Sequence, residues 1–320
     1  MRLKNAIKLI FANFGATFKV LLYKLIVFAV VCSVAVFVLL PNFEYLIEAS
    51  SLDKLIYSFG DVLKSIFVPE MEFTEAQSAF SSNLSAFTAY IGENGWKIAG
   101  LAGCIAAFYF AAMFFNNIAD FALGQVVNDY MSSLTETGFT VGVFKNLGKA
   151  SLYSLIDVAI SLVFYVAAIS LCVFFFWLIP VGLASLFLSV LVFIVLISVK
   201  QVFMSDFMPN IVADRMASDK AFRESVKVPR RDFLRKFNNY VTINIIMLYA
   251  NVSVGLFTVF TGLLLTFPLT TLILICFRFV SQYTTTGKKY YLAPDEIVRP
   301  ARPAGEEDEE EDLLKKIDEE

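Results

Sequence analysis

The chain contains no histidine, and this absence narrows the chemistry that it can perform. Histidine is the commonest general base, proton carrier and metal ligand near neutral pH. The Walker-type phosphate loop, HExxH and GxSxG are also missing, and no acids cluster within an apolar stretch. We therefore expect neither a metal nor another cofactor, and the sequence does not favour an enzyme.

Charge and cysteine are scarce as well. Asp, Glu, Lys and Arg make up 17% of the residues, whereas soluble chains carry roughly 25%. Hydrophobic residues reach 58%, so the expected solvent is a bilayer. The four cysteines have no CxxC-type spacing, which argues against a zinc site and a disulfide framework. Each lies in an apolar stretch, where a thiol behaves as a small hydrophobe.

Two long stretches carry no charge at all. Val158–Val199 is 42 residues long and Phe237–Phe277 is 41. About 20 apolar residues cross a bilayer, so each stretch is long enough for two crossings. With two further apolar stretches, the sequence predicts an all-α polytopic membrane protein with six transmembrane helices plus interfacial amphipathic helices. The predicted spans cover about residues 20–40, 98–115, 152–179, 183–199, 240–262 and 265–283.

Residues 1–19 are predicted to form an N-terminal interfacial helix. Its apolar residues recur at helical spacing, and Arg2, Lys4 and Lys8 are available to lipid headgroups. The apolar residues are Ile7, Ile10, Phe11, Phe14 and Phe18. A cleaved signal peptide is the alternative, because Ser33-Val34-Ala35 resembles a cleavage site. The apolar run continues through Leu40, which favours a retained span.

Residues 41–97 form the longest polar excursion and are predicted to contain an outer helix. A packed connecting helix is favoured over a substrate lid or a docking element, since amphipathicity alone reports burial. In the following span, Gly100 and Gly103 predict a small face for close helix packing. Residues 118–134 are predicted to form a separate interfacial helix. Residues 284–320 are predicted to be a disordered acidic tail, because Glu306–Asp312 is seven consecutive acids.

The positive charges are distributed very unevenly between the two sides of this topology. Of the 26 Lys and Arg residues, 23 fall on the side that holds both termini and three on the other. The positive-inside rule then predicts a multi-pass protein of the cell membrane with cytoplasmic N- and C-termini. Residues 200–236 become a basic cytoplasmic segment that links spans four and five.

This basic segment is the first candidate site. Proline and capping signals divide it into two or three short surface helices: Pro209 starts one, Ser218 or Asp219 caps the next, and Pro229 opens the last. Its cations are predicted to contact anionic lipid headgroups or a cytoplasmic or membrane protein partner. Topology together with headgroup contact is the favoured interpretation, and nucleic acid is not an expected partner. The candidate residues are Lys227, Arg230, Arg231, Arg235 and Lys236.

Polar residues in or near the spans form the second candidate set. Asn244 and Asn251 are seven residues apart and so share one helix face. An acid–base pair is expected among Asp120, Asp157 and Arg278. Hydrogen bonds that hold the bundle together are the favoured role, and a functional site is the alternative. The complete set is Asn116, Asn117, Asp120, Asp157, Asn244, Asn251 and Arg278.

A short pattern in the basic segment resembles a known family. Pro209–Asp214, Ala221–Ser225 and the Phe-led helix after them are similar to bacterial six-helix membrane proteins. These resemble the membrane domain fused to some glycerophosphodiester phosphodiesterases. Pro268 in the last hairpin and the aromatic exit Tyr290-Tyr291 match as well. The resemblance covers about residues 1–295 and implies fold and topology. It implies no activity, since no hydrolase domain is present.

The leading functional prediction is a non-enzymatic scaffold, regulatory or accessory subunit. The alternative is a transporter of a lipid or small amphiphile, with Asn244 and Asn251 lining its path. An intramembrane enzyme ranks third, because the residue types and motifs that it needs are missing.

Overall fold

The computed structural model of the chain describes residues 2–50, 52–67, 72–135, 137–179, 182–259 and 261–300. Within these ranges it contains eleven helices and one two-stranded sheet. The helices are α1 (Arg2–Ala12), α2 (Phe14–Ser50), α3 (Leu52–Phe67), α4 (Phe73–Ser133), α5 (Phe139–Lys145), α6 (Leu147–Leu178), α7 (Gly182–Phe203), α8 (Phe207–Val212), α9 (Ser218–Val226), α10 (Arg230–Phe257) and α11 (Leu263–Thr285). The strands are β1 (Tyr290–Ala293) and β2 (Glu296–Val298).

Six helical stretches in these ranges are long and apolar enough to cross a membrane. This confirms the predicted all-α polytopic fold. They cover Phe14–Leu40, Ala99–Ser133, Leu147–Leu178, Gly182–Val212, Arg230–Phe257 and Leu263–Thr285. Most of them extend beyond the predicted spans, because polar residues near the predicted ends are accommodated within the helices.

The chain divides into two compact units. Unit 1 comprises Met1–Leu25, Asn116–Asp157 and Gln201–Glu320, and unit 2 comprises Ile26–Phe115 and Val158–Lys200. Four of the spans run through both units: α2, α4, α6 and α7. In each of these, the end that the charge count assigns to the basic side belongs to unit 1.

Helix α11 and the end of α4 provide the largest shares of the core of unit 1. The buried side chains of α11 include Leu272, Cys276 and Phe279. Helix α1 packs along α11, and so does α10, where the Tyr240 ring meets the Phe277 ring edge-on at 5.0 Å between centroids. Apolar burial of this kind contributes about 25 cal/mol per Å². The well-packed aromatic and aliphatic centre therefore fixes the positions of the polar side chains around it.

Helix α1 turns its polar residues inward. A guanidinium nitrogen of Arg2 donates to the hydroxyl of Ser281 at 3.1 Å, and Asn5 Nδ2 donates to the hydroxyl of Tyr290 at 2.8 Å. Lys8 pairs with a β2 carboxylate at 2.5 Å. Arg2 and Lys8 thus have partners in unit 1, whereas Lys4 is exposed, so its contact with lipid headgroups stays a prediction.

The apolar face of this segment is exposed instead. Ile7, Phe11, Phe14 and Phe18 are all accessible at the surface, the last two on the start of α2. The predicted helix over residues 1–19 is interrupted at Asn13, whose side-chain amide donates to the Leu9 carbonyl. A helix with an apolar outer face is the form that an interfacial helix takes when it rests on a bilayer.

The second predicted span and the interfacial helix after it form one continuous element. Helix α4 runs to Ser133 without the boundary expected near Asn116, and its non-helical residue lies earlier, at Asn94. The reason is that Asn117 and Asp120 find polar partners on other elements of unit 1. A polar cluster that is satisfied inside the protein gives no reason for a helix to end.

The excursion over residues 41–97 contains α3 and the first part of α4. Phe59 of α3 contacts Phe80 of α4 with ring centroids 5.8 Å apart, and Asn83 Nδ2 donates to the Lys54 carbonyl at 3.3 Å. These contacts favour a packed connecting helix.

Close packing of glycine in unit 2 occurs at a different place from the predicted one. Gly100 and Gly103 have no neighbour within 4 Å of the position that a Cβ would occupy, so the predicted small face packs against no described helix. At Gly182 a Cβ would lie 2.5 Å from a ring carbon of Phe73 and 3.0 Å from Ile66. Gly182 is therefore the position where the start of α7 approaches its neighbours closely.

The segment over residues 200–236 forms α8, α9 and the first turns of α10. Helix α8 is buried, with Phe207 and Met208 inaccessible, so it is not a surface helix. Pro209 is its third residue, and the N-cap of α9 is Ala217, without a side-chain hydrogen bond. Pro229 is the N-cap of α10, as its position predicted.

The first part of the predicted tail is folded. Strands β1 and β2 pair antiparallel, with Tyr290 opposite Val298 and Tyr291 opposite Ile297. Tyr290 is buried, and its ring meets that of Tyr283 edge-on. This contact with α11 explains why the chain stays ordered after residue 284. The acidic run at 306–312 lies outside the described residues.

Candidate functional site

One ion pair in unit 1 joins residues of two spans. The ammonium of Lys24 on α2 lies 2.7 Å from a carboxylate oxygen of Asp120 on α4, with about three quarters of each side chain buried. Lys24 also donates to Thr271 of α11 at 3.4 Å. An acid–base pair was expected for Asp120, but its basic partner is a lysine from the first span. The pair joins three spans.

Asp157 and Arg278 lie in the same region. Asn117 Nδ2 donates to a carboxylate oxygen of Asp157 at 3.0 Å, and Arg278 donates to the hydroxyl of Tyr153 at 3.1 Å. Asp157 is also close enough to act electrostatically on Arg278. The neighbouring Asn116 is half-buried, and its Oδ1 has no hydrogen-bond partner among the described residues. These contacts tie α4, α6 and α11 together.

The two asparagines of α10 share a face but bind different helices. Asn244 exchanges two hydrogen bonds with Gln201 of α7, at 2.8 and 3.3 Å. Asn251 makes one long contact of 3.4 Å, to Thr270 of α11. Both are interhelical, which supports the role in holding the bundle together.

The five predicted basic residues divide into two groups. Lys227, Arg230, Arg231 and Arg235 are exposed, whereas Lys236 is only 2% exposed. Lys236 forms an ion pair with Asp206 and donates to Ser205 at 3.1 Å. Its charge is thus engaged inside unit 1 and is not available to a headgroup.

The exposed group forms a basic surface on the start of α10, defined here as Arg230, Arg231 and Arg235 with Leu234. Leu234 is 53% exposed between the arginines. Within the described ranges none of the three arginine side chains makes an ion pair or a hydrogen bond. Lys227 lies before them and pairs with Glu224 at 3.3 Å. An apolar residue among free cations is typical of a surface that contacts an anionic membrane or partner.

Several functional-looking contacts were not predicted. Asp214 accepts hydrogen bonds from Gln282 and pairs with Lys288, and Asn128 accepts from the Tyr283 hydroxyl at 2.9 Å. The partners are separated by 68 to 155 residues in sequence. No local pattern reports such pairs, so only the fold reveals them.

Asn128 and Tyr283 line a polar cleft of about 550 Å³ in unit 1. The end of α4 forms one wall, the α5–α6 junction a second and the α8–α9 connection a third. The charged residues that line it are Asp129, Lys145, Lys149 and Arg215. None of them was singled out as a site residue from the sequence, where the two lysines counted only toward topology.

Among the described residues, no group of three or more Cys, Asp or Glu side chains is arranged to hold a metal ion. Comparisons of the chain with protein-family models, with curated proteins and with solved structures return no match.

Proposed function

We propose that this multi-pass protein is a non-enzymatic scaffold, regulatory or accessory subunit of the cell membrane. The observation that carries the proposal is the division of charge in unit 1. Lys24 and Lys236 form ion pairs with Asp120 and Asp206, whereas Arg230, Arg231 and Arg235 stay exposed and without ion pairs in the described ranges. Exposed arginines without ion pairs, held on a folded unit, are suited to bind the anionic surface of a membrane or of a protein partner.

The basic surface fits two kinds of anionic contact. Each cation near an anionic leaflet contributes about 1 kcal/mol of attraction. Exposed Leu234 adds an apolar contact that a headgroup layer or a protein partner can bury. Arg231, Leu234 and Arg235 share one helix face by their spacing, so all three can engage the same partner.

Transport is supported less well than this role. A transport path lined by Asn244 and Asn251 needs their amides to face the path, but both make interhelical hydrogen bonds. If the protein transports an amphiphile, the N244A/N251A variant loses flux in proteoliposomes while it stays folded. On the scaffold proposal, neither wild type nor variant supports flux.

Cross-linking in native membranes tests the proposal. R231Q/R235Q removes two charges from the basic surface, and K54Q/K64Q removes two exposed lysines from α3 as the matched control. A scaffold or accessory subunit gives a reproducible cross-linked partner that R231Q/R235Q loses and K54Q/K64Q keeps. Equal recovery from both variants, or no specific partner from wild type, contradicts the proposal.

The proposed orientation places unit 1 at the cytoplasmic face. Single cysteines at Lys227 and Lys64, in a background without the four native cysteines, report on it through a membrane-impermeant maleimide. Both side chains are more than two thirds exposed. In intact cells Lys64→Cys is labelled and Lys227→Cys is labelled only after lysis; the reverse pattern overturns the orientation.

A further inference from the structure

Hydrogen bonds hold several side chains that line the polar cleft of unit 1 in place. Asn128 is only 7% exposed, and its Oδ1 accepts a hydrogen bond from Tyr283, which is itself buried in the core. Asn146 at the α5–α6 junction donates to Gln125 Oε1 at 3.3 Å. Buried and hydrogen-bonded side chains hold the cleft open in one shape, because each has a defined partner.

The carboxylate in the cleft is already satisfied by neutral donors. Gln125 Nε2 donates to Asp129 Oδ1 at 2.7 Å, and the Thr137 hydroxyl donates to Oδ2 at 2.5 Å. Asn128 makes a longer contact of 3.4 Å to Oδ1. Asp129 therefore does not form an ion pair with a cation of the cleft in the described ranges.

Three cations line the same cleft, and none of them forms an ion pair with a described residue. Lys145, Lys149 and Arg215 make no ion pair and no side-chain hydrogen bond to any described residue. Lys149 lies in the first turn of α6, which contains no acidic residue. A cation at this end of a helix is disfavoured by the helix dipole, so the fold does not place Lys149 there for its own stability.

Arg215 has a left-handed backbone conformation. Its φ is +54°, and the Met216 amide beside it donates to the Asn210 carbonyl at 3.0 Å. A left-handed residue commonly ends a helix, and the Met216–Asn210 hydrogen bond closes the turn that follows α8. Arg215 in this turn lines the cleft.

We infer that this cleft binds a phosphate-bearing ligand through Lys145, Lys149 and Arg215. Three cations against one carboxylate leave a net charge of about +2, which suits a phosphate group. The hydroxyl oxygens of Ser132 and Ser133, whose protons are donated to the Asp129 carbonyl, can each accept a hydrogen bond from a hydroxyl of a polyol. A cleft of about 550 Å³ is within the range of small-ligand sites.

The ligand chemistry is thus a phosphate ester of a small polyol, which occurs both free and as a lipid headgroup. The first arm of the test uses the full chain in phosphatidylcholine nanodiscs, titrated with glycerol phosphate and followed by ³¹P NMR. K145Q/K149Q is expected to weaken binding roughly tenfold or more, because both charge-assisted contacts to the phosphate are lost. K145R/K149R keeps the charges and is expected to keep binding.

The second arm measures lipid retention by native mass spectrometry after reconstitution with an equal mixture of phosphatidylglycerol and phosphatidylcholine. A phosphatidylglycerol molecule that wild type retains and K145Q/K149Q loses assigns the site to a headgroup. Arg215→Asn tests the third cation, since asparagine tolerates the left-handed conformation, and is expected to weaken binding in the same arm.

K54Q/K64Q is the matched control in both arms, because it removes two exposed lysines that belong neither to the cleft nor to the basic surface. Loss of binding with K145Q/K149Q but not with K54Q/K64Q, at unchanged unfolding temperature, supports the site. Equal binding by wild type and K145Q/K149Q in both arms, no binding in either arm, or equal losses in the two double variants overturns it. Because none of the cleft cations belongs to the basic surface, failure here is separate from failure of the scaffold proposal.

Discussion

The two units bury different kinds of side chain. Of the described apolar side chains in unit 2, only four are buried: Val62, Ala76, Val158 and Ala168. Apart from Lys200, its buried polar residues are serines, and the Ser185 and Ser198 hydroxyls donate to carbonyls one helical turn earlier. Unit 1 instead buries a large aromatic and aliphatic core with amides, carboxylates and cations around it.

This difference indicates how each unit is held together. In a bilayer, helices gain little from exchanging lipid contacts for protein contacts, so packing and polar contacts determine which helices associate. Unit 2 has close approach at Gly182 but few buried contacts, while unit 1 combines a packed core, including close approach at Gly124, with specific polar pairs between helices. Substitutions that remove a pair in unit 1 are therefore expected to cost more than loss of small side chains in unit 2.

The largest effect is expected at the buried ion pair of unit 1. Asp206→Ala leaves the Lys236 ammonium buried without its carboxylate, and breaking such a pair costs about 3 kcal/mol or more. Thermal unfolding in a fixed detergent measures the loss. The double variant D206A/K236M removes the stranded charge and is expected to recover part of the stability. If D206A unfolds like wild type, the pair does not hold unit 1 together.

The second largest loss of stability is expected at the close approach of Gly182 in unit 2. Gly182→Ala places a methyl group 2.5 Å from the Phe73 ring, and such overpacking costs about 1–3 kcal/mol. Gly103→Ala is the control, since it meets nothing within 4 Å and gains helix propensity of about 1 kcal/mol at most. Thermal unfolding of the two variants should therefore shift in opposite directions or leave only G182A changed. Equal shifts would show that the close approach at Gly182 is unimportant.

The third prediction compares the loss of stability when either of two interhelical contacts of α10 is removed. Asn244→Ala removes a reciprocal pair with Gln201, and interhelical hydrogen bonds in membranes contribute about 0.6 kcal/mol on average and up to about 1.7. Asn251→Ala removes one contact of 3.4 Å and is expected to cost less. Reversible unfolding in mixed micelles can rank the two. A larger loss for N251A contradicts the assignment of Asn244 as the stronger contact.

The smallest effect is expected at an exposed pair in unit 1. Glu224 and Lys227 lie 3.3 Å apart, and both side chains are nearly half exposed or more. Surface pairs of this kind contribute about 0–1 kcal/mol, and salt screens them. Glu224→Ala should therefore unfold close to wild type at moderate ionic strength. A loss as large as that of D206A would remove the distinction between buried and exposed charges.

The number of spans and the helical fold followed from hydropathy, because two uncharged runs of about 40 residues leave few alternatives. The helix ends did not follow. Asn117 and Asp120 looked like a membrane boundary, but their partners, Asp157 and Lys24, come from distant parts of the chain. A single sequence does not distinguish a polar residue that has a distant partner in the fold from a polar residue that ends a helix.

The predictions for Lys236 and for the hairpin after α11 differ from the structure for separate reasons. Lys236 looked like its exposed neighbour Arg235, since nothing local marks the carboxylate of Asp206 as its partner. The hairpin after α11 did carry a local signal: Tyr290 and Leu292 alternate with outward residues before a Pro294-Asp295 turn. The acidic run that follows the hairpin predicts disorder, and this outweighed the hairpin pattern. The cleft could not be found from sequence, because its lysines and Arg215 are about 70 residues apart.

We propose that paired charges in unit 1 hold the fold and that free charges on its surface bind a partner. The most direct test measures unfolding temperature and partner cross-linking on the same preparations of D206A and R231Q/R235Q. D206A is expected to lower the unfolding temperature, while R231Q/R235Q is expected to unfold like wild type and to lose the cross-linked partner. An R231Q/R235Q variant that is destabilised, or that keeps full cross-linking, would contradict the proposal.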